Sequence, residues 1–121
     1  MSNIKRYCAD WNGRGQLVVE VNHALLTEER LHQMNNFWRD ARKRLEEHDG
    51  NVLHTVLAML AVECFYLCIR GCYSSTMLID EFECGVEGWP LMDGRAGIMI
   101  IACNEPNFMT EDITVHEWNE E

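Results

Sequence analysis

Basic residues are nearly missing from the second half of this chain. Residues 71 to 121 contain one base, Arg95, against eleven acids, while residues 1 to 70 carry nine of each. The formal net charge of −10 therefore sits entirely in the last 51 residues. Such a surface repels phosphates, which argues against direct nucleic-acid binding. It attracts a basic surface, including the groove of a protein that itself handles nucleic acid. An export signal is missing too: Met1-Ser-Asn-Ile-Lys-Arg leads into polar sequence with no apolar h-region. The six cysteines (8, 64, 68, 72, 84 and 103) are then expected to be thiols in a reducing cytosol, and the protein to be cytoplasmic.

Catalytic signatures are also lacking. There is no Gly-x-Ser-x-Gly, phosphate-binding glycine loop, dinucleotide fingerprint or His-Glu-x-x-His. Cys64, Cys68 and Cys72 recur every four residues and with Cys84 would supply four thiolates. They do not form a Cys-x-x-Cys knuckle, however, and Cys64 and Cys68 point into an apolar face, so a role as small buried hydrophobes is the better expectation. Glu63 is the acid inside the most apolar helix, and its wheel position beside Arg70 makes it a boundary residue in contact with water. No metal, cofactor or catalytic residue is expected, and the protein is expected not to be an enzyme.

What is present is enough for one domain over residues 1–121, a length that buries roughly two thirds of its unfolded surface. Ile4 to Trp11 and Gln16 to Asn22 read as strands joined by Asn12-Gly13-Arg14-Gly15, with Leu17, Val19 and Val21 on one face. A helix starts at the cap Thr27 and carries the stripe Leu31, Met34, Trp38, Ala41 and Leu45 to near His48-Asp49-Gly50. Arg39, Arg42, Lys43 and Arg44 on it read as a solvated face, ion-paired to Glu46 and Glu47. Val52 to Arg70 is long enough to raise a transmembrane question. Its polar edge of Thr55, Glu63, Tyr66 and Arg70 points instead to a central core helix.

Ser74 or Ser75 caps a short helix through Cys84. Gly85 to Gly97 is a loop, and Ile98 to Cys103 an apolar, central strand. Asn104-Glu-Pro-Asn107 turns the chain, and Asp112 to Trp118 alternates as a last strand. The order is β-β-α-α-α-β-β, and the expected fold is α+β: a four-stranded antiparallel sheet with helices packed on one face.

The acids carry the functional signal. Asp80, Glu81, Glu83, Glu87 and Asp93 follow the central helix, and Glu111, Asp112, Glu117, Glu120 and Glu121 end the chain. They serve either as a solubilising surface or as a partner-binding face. Trp89 and Trp118, if exposed among them, would be its aromatic anchors, although for Trp89, beside Pro90, core packing is the preferred reading.

Three stretches resemble a family of short acidic bacterial proteins met on prophages, plasmids and genomic islands, domain of unknown function family 2528. They are Leu26-Thr-Glu-Glu with Asn35-Asn36-Phe37-Trp38; Asp49-Gly50-x-Val52-Leu53-x-x-Val56-Leu57; and Glu87-Gly88-Trp89-Pro90-x-Met92-Asp93-Gly94-x-x-Gly97-Ile98. The resemblance implies a mobile-element setting and no particular chemistry. In that setting the charge leads to an expected non-enzymatic, anti-defence inhibitor of the anti-CRISPR or antirestriction type. It would bind a basic surface of a host nucleic-acid-handling complex and no membrane. The alternatives are a homo-oligomeric, for instance homodimeric, structural or accessory phage or plasmid protein whose last strand pairs with a symmetry mate, and a small Cys-dependent metal protein or enzyme.

Overall fold

The computed structural model describes residues 3–71, 74–104, 106 and 108–118. Cys72, Glu105, Asn107, Glu120 and Glu121, named above as a thiol, turn residues and acids, lie outside them. Among the described residues the order is β1 (Ile4–Asp10), β2 (Gln16–Asn22), α1 (Glu28–Asn36), α2 (Ala41–Glu47), α3 (Val52–Ile69), α4 (Ser75–Gly85) and β3 (Ile98–Asn104). A single 3-10 turn, Thr110–Asp112, follows.

The class is α+β, but the expected four-stranded sheet is not formed. The sheet has three antiparallel strands in the order β1-β2-β3. Residues 113–118 are exposed and, among the described residues, have no backbone partner beyond the bond from Ile113 N to Thr110 O. Their alternation favours an extended backbone, but a strand also needs a ladder partner, which local pattern does not supply. The middle strand is β2, not β3. Its Leu17, Val19 and Val21, each at most 1% exposed, face the helices. The β2-β3 register shifts between Val18 and Val19, leaving Ile101 as the extra residue opposite them. β3 is an edge strand whose Ile98 and Ile100 are nonetheless buried, because α4 packs on it.

Three helices begin with side-chain caps: the expected Thr27 and Ser74, and Asn51, which the sequence reading did not single out. Thr27, Asn51 and Ser74 accept backbone bonds from Arg30, His54 and Met77 at 3.3, 3.0 and 3.2 Å. The single helix expected from Thr27 to His48 is broken into α1 and α2. Asn35, buried to 1% exposure, donates Nδ2 to the Ala41 carbonyl and accepts from Arg44 Nε. Arg44 also donates to the backbone carbonyls of Asn35 and Arg39, and Asp40 adopts φ +62°. An asparagine that offers the backbone side-chain partners in this way competes with the helix ladder. Of the expected basic face, Arg42 and Glu46 pair weakly at 3.9 Å, whereas Arg44 is a structural clamp.

The core gathers around α3, where Val56, Leu60 and Cys64 are fully buried against Leu78, Phe82, Met92 and Ile98. Each such aliphatic contributes about 1.5–3 kcal/mol by leaving water. By length and composition α3 is long enough to cross a membrane, and half of it is buried inside this fold. Of its expected polar edge, Tyr66 and Arg70 are exposed and Glu63 is half-buried, but Thr55 is not at the surface. Thr55 is 1% exposed, its hydroxyl donating to the Asn51 carbonyl, and the solvent side of α3 holds apolar Val62 and Ile69 with Tyr66 between them.

Candidate functional site

Two surfaces stand out: an acidic one on α4 and the loop after it, and an apolar one between β1 and α3. The acidic surface is built from the core outward. Leu78 and Phe82 anchor α4, which leaves Asp80, Glu81 and Glu83 exposed, with Glu87 exposed in the turn that follows. Arg95 lies between two acids, with Nε 2.7 Å from the Asp93 carboxylate and a terminal nitrogen 3.9 Å from Glu83. The Arg95 backbone N–H also donates to Asp93, and that bond, with the guanidinium beside it, holds the Asp93 carboxyl below its ordinary range. The sole base of the second half is thus engaged. Among the described residues, Asp80, Glu81 and Glu87 have no ion pair or side-chain hydrogen bond.

The remaining candidates divide. Trp89 is half-buried and packs against the core. Glycine seats its loop: a Cβ on Gly88, at φ +85°, would stand 2.5 Å from the Trp38 ring and 2.8 Å from Phe37. Hence the Glu87-Gly88-Trp89-Pro90 and Asn35-Asn36-Phe37-Trp38 stretches, far apart in sequence, lie against each other. Among the described residues, no ion pair or hydrogen bond joins Glu111, Asp112 or Glu117 to the acids of α4. Asp112 is held at the β1-β2 turn, where Arg14 donates to both its oxygens at 2.7 and 3.0 Å. That bond raises the Arg14 pKa further above its ordinary value. Glu111 and Glu117 are exposed, and Trp118 is 76% exposed.

Among the described residues, no three His, Cys, Asp or Glu side chains cluster as a metal site requires. Cys64 and Cys68 are buried in the core, whereas Cys8 and Cys84 lie at the surface. Cys68 and Cys103 sulfurs are 3.6 Å apart, a thiol contact. Burial, with the Cys68 thiol beside it, pushes the Cys103 pKa up to about 12. Glu63 is half-buried.

The apolar surface was not anticipated. A groove of about 640 Å³ runs between β1 and α3, floored by Ala9, Leu57 and Phe65 and rimmed by Val62, Ile69 and Phe108. The Trp11 ring closes one end, 6.3 Å from the Phe65 centroid and 6.1 Å from that of Phe108. The Arg14 guanidinium lies over the same indole at 5.9 Å. One signal was available in the sequence. α3 is apolar nearly all round, and Val62, Tyr66 and Ile69 continue a second helical stripe that a three-stranded sheet is too narrow to cover.

Comparison with known proteins places the chain. The model of a family described as a protein of unknown function (DUF2528) matches residues 16–115. The chain belongs to the DUF2528 family. It is 40% identical over 120 residues to protein ea10 of Escherichia phage lambda and, equally, to the lambda prophage-derived protein ea10 of Escherichia coli O6:H1. In each case 95% of this chain and 98% of the relative are covered. These phage and prophage relatives support the mobile-element setting expected from the sequence. No solved structure matches. The DUF2528 match includes the Gly88 contact, the Arg95 bridge and most of the groove, with β1 preceding it.

Proposed function

We propose that this mobile-element protein is a non-enzymatic, cytoplasmic binding protein that presents α4 and the Glu87 turn to a basic surface of a host nucleic-acid-handling complex. It would act as an anti-defence factor of the anti-CRISPR or antirestriction type. The observation that supports this reading is the uncompensated acid. With Arg95 already held by Asp93 and Glu83, the exposed carboxylates of Asp80, Glu81 and Glu87 have no cation paired with them among the described residues. Carboxylates fixed on a helix anchored by Leu78 and Phe82 can occupy a Lys/Arg groove with little ordering cost. Their field speeds association at low salt and is screened as salt rises.

The test is affinity capture from host lysate at low and at moderate salt, beside a variant with Asp80, Glu81 and Glu87 changed to lysine. The expected result is recovery of a nucleic-acid-handling protein by the native chain, weakened by salt and abolished in the variant. Recovery of none, or capture indifferent to the three reversals, overturns the proposal.

A further inference from the structure

Cys68 and Cys103 reach each other from different elements. Cys64 and Cys68 are one turn apart on the core face of α3, and Cys68, 2% exposed, stands in the last turn of that helix, which ends at Ile69. Cys103 lies opposite Leu17 in the β2-β3 ladder. Residues directly opposite in an antiparallel pair share a face, and Leu17 is buried toward the helices, so Cys103 is turned the same way. The result is a contact of 3.6 Å between two sulfurs 35 positions apart in the chain.

A disulfide bond is about 2.05 Å long, so the two sulfurs need to close by about 1.5 Å. Both stand near the ends of their elements, α3 at Ile69 and β3 at Asn104, where the backbone yields most easily. We propose that Cys68 and Cys103 are an oxidisable pair that a low-molecular-weight disulfide converts to an intramolecular disulfide. Half-buried Cys103 is the point of entry, since Cys68 is in the core. Its thiolate attacks one sulfur of the reagent and forms a mixed disulfide, releasing one reagent thiol. The Cys68 sulfur then attacks the Cys103 sulfur, forms the protein disulfide and releases the second. Two electrons pass from the protein to the reagent, and the protons of both cysteines leave on the two released thiols. In a reducing cytosol the pair stays as thiols, so the bond is conditional on oxidising surroundings. The ring it closes contains α4, the Glu87 turn and Arg95, the whole of the acidic surface on α4 and its loop. Such a ring restricts the unfolded chain and ties the end of α3 to β3. The inference does not depend on the acidic face having a partner.

The test is the full chain incubated at pH 8 with oxidised glutathione, then digested with trypsin without reduction. Burial pushes the Cys103 pKa up to about 12, so closure should take hours, not minutes. Cleavage after Arg44, Arg70 and Arg95 puts Cys64 and Cys68 on one peptide, Cys72 and Cys84 on the next and Cys103 on the last. A cross-link between peptides 45–70 and 96–121 is expected, reversed by reductant and located at Cys68 by fragmentation. The melting midpoint should rise by roughly 5–15 °C relative to Cys103→Ala treated alike. Cys103→Ala should give no such link, and in Cys68→Ala the first adduct, glutathione on Cys103, should be trapped. Both replacements are small and apolar, and circular dichroism should show both variants folded. Cys8 and Cys84, at the surface, take up glutathione and report that oxidation occurred. With those two modified, absence of the link, a link through Cys64 or Cys72 instead, a link formed only in denaturant, or an unchanged midpoint overturns the proposal.

Discussion

Replacing Gly97 by alanine puts a Cβ 2.7 Å from the backbone nitrogen of Leu26 and 3.0 Å from the Cβ atoms of Leu25 and Leu26. Gly94 is its natural control. The two glycines have nearly the same backbone, φ +101° and +99°, but at Gly94 the new Cβ meets Met99 atoms at 3.9 and 4.0 Å, ordinary contact. Both substitutions carry the cost of a side chain at positive φ, about 1–2 kcal/mol. Gly97→Ala adds overpacking of about 1–3 kcal/mol. Relief is difficult, because the opposing atom is backbone and Leu26 N is bonded to the Asn22 carbonyl at 2.9 Å, while Asn22 N bonds the Gly97 carbonyl at 2.8 Å. Yielding there would disturb the junction of β2, β3 and α1. The expected loss is about 1–2 kcal/mol for Gly94→Ala and about 2–5 kcal/mol for Gly97→Ala. At about 4 °C per kcal/mol for a chain of this size, the melting midpoints fall by about 4–8 °C and about 8–20 °C. Melts followed by circular dichroism at one fixed protein concentration give both values. Equal losses in the two variants, or a milder effect at Gly97, would refute the contact as the cause.

Thiol chemistry and acid titration provide two further checks. At pH 8 a small disulfide reagent should label Cys8 and Cys84 quickly and the half-buried Cys103 far more slowly; a pKa of about 12 instead of 9.0 leaves the Cys103 thiolate about 1,000-fold scarcer, and native labelling at that position as fast as at Cys8 in a mass map would contradict the raised pKa. Asp93 has a folded pKa below its unfolded value, so its contribution to stability is present above the unfolded pKa of about 4 and is lost as pH falls through the lower folded value. Urea melts between about pH 5 and pH 2 should therefore show a shallower acid loss for Asp93→Asn than for the native chain, and parallel curves would remove the Arg95 bridge as a stabilising contact.

The local elements were legible because local chemistry specifies them. Alternation at Leu17, Val19 and Val21, the caps at Thr27 and Ser74, and the apolar run to Arg70 each depend on neighbours within a few residues. The break between α1 and α2 involves Asn35 reaching Ala41 and Arg44, partners that lie off the local helix period. The fourth strand failed for a related reason. Asp112 to Trp118 has strand periodicity, but Arg14 fixes its root and, among the described residues, no neighbouring strand takes it up. For the site, the α4 acids were legible by type and position, their exposure follows from the burial of Leu78 and Phe82 on the opposite face, and the role of Arg95 required the loop to fold back toward α4. The groove was hidden by its own hydrophobicity: an apolar helix in a short chain reads as core, and whether enough sheet covers both of its faces is a tertiary property.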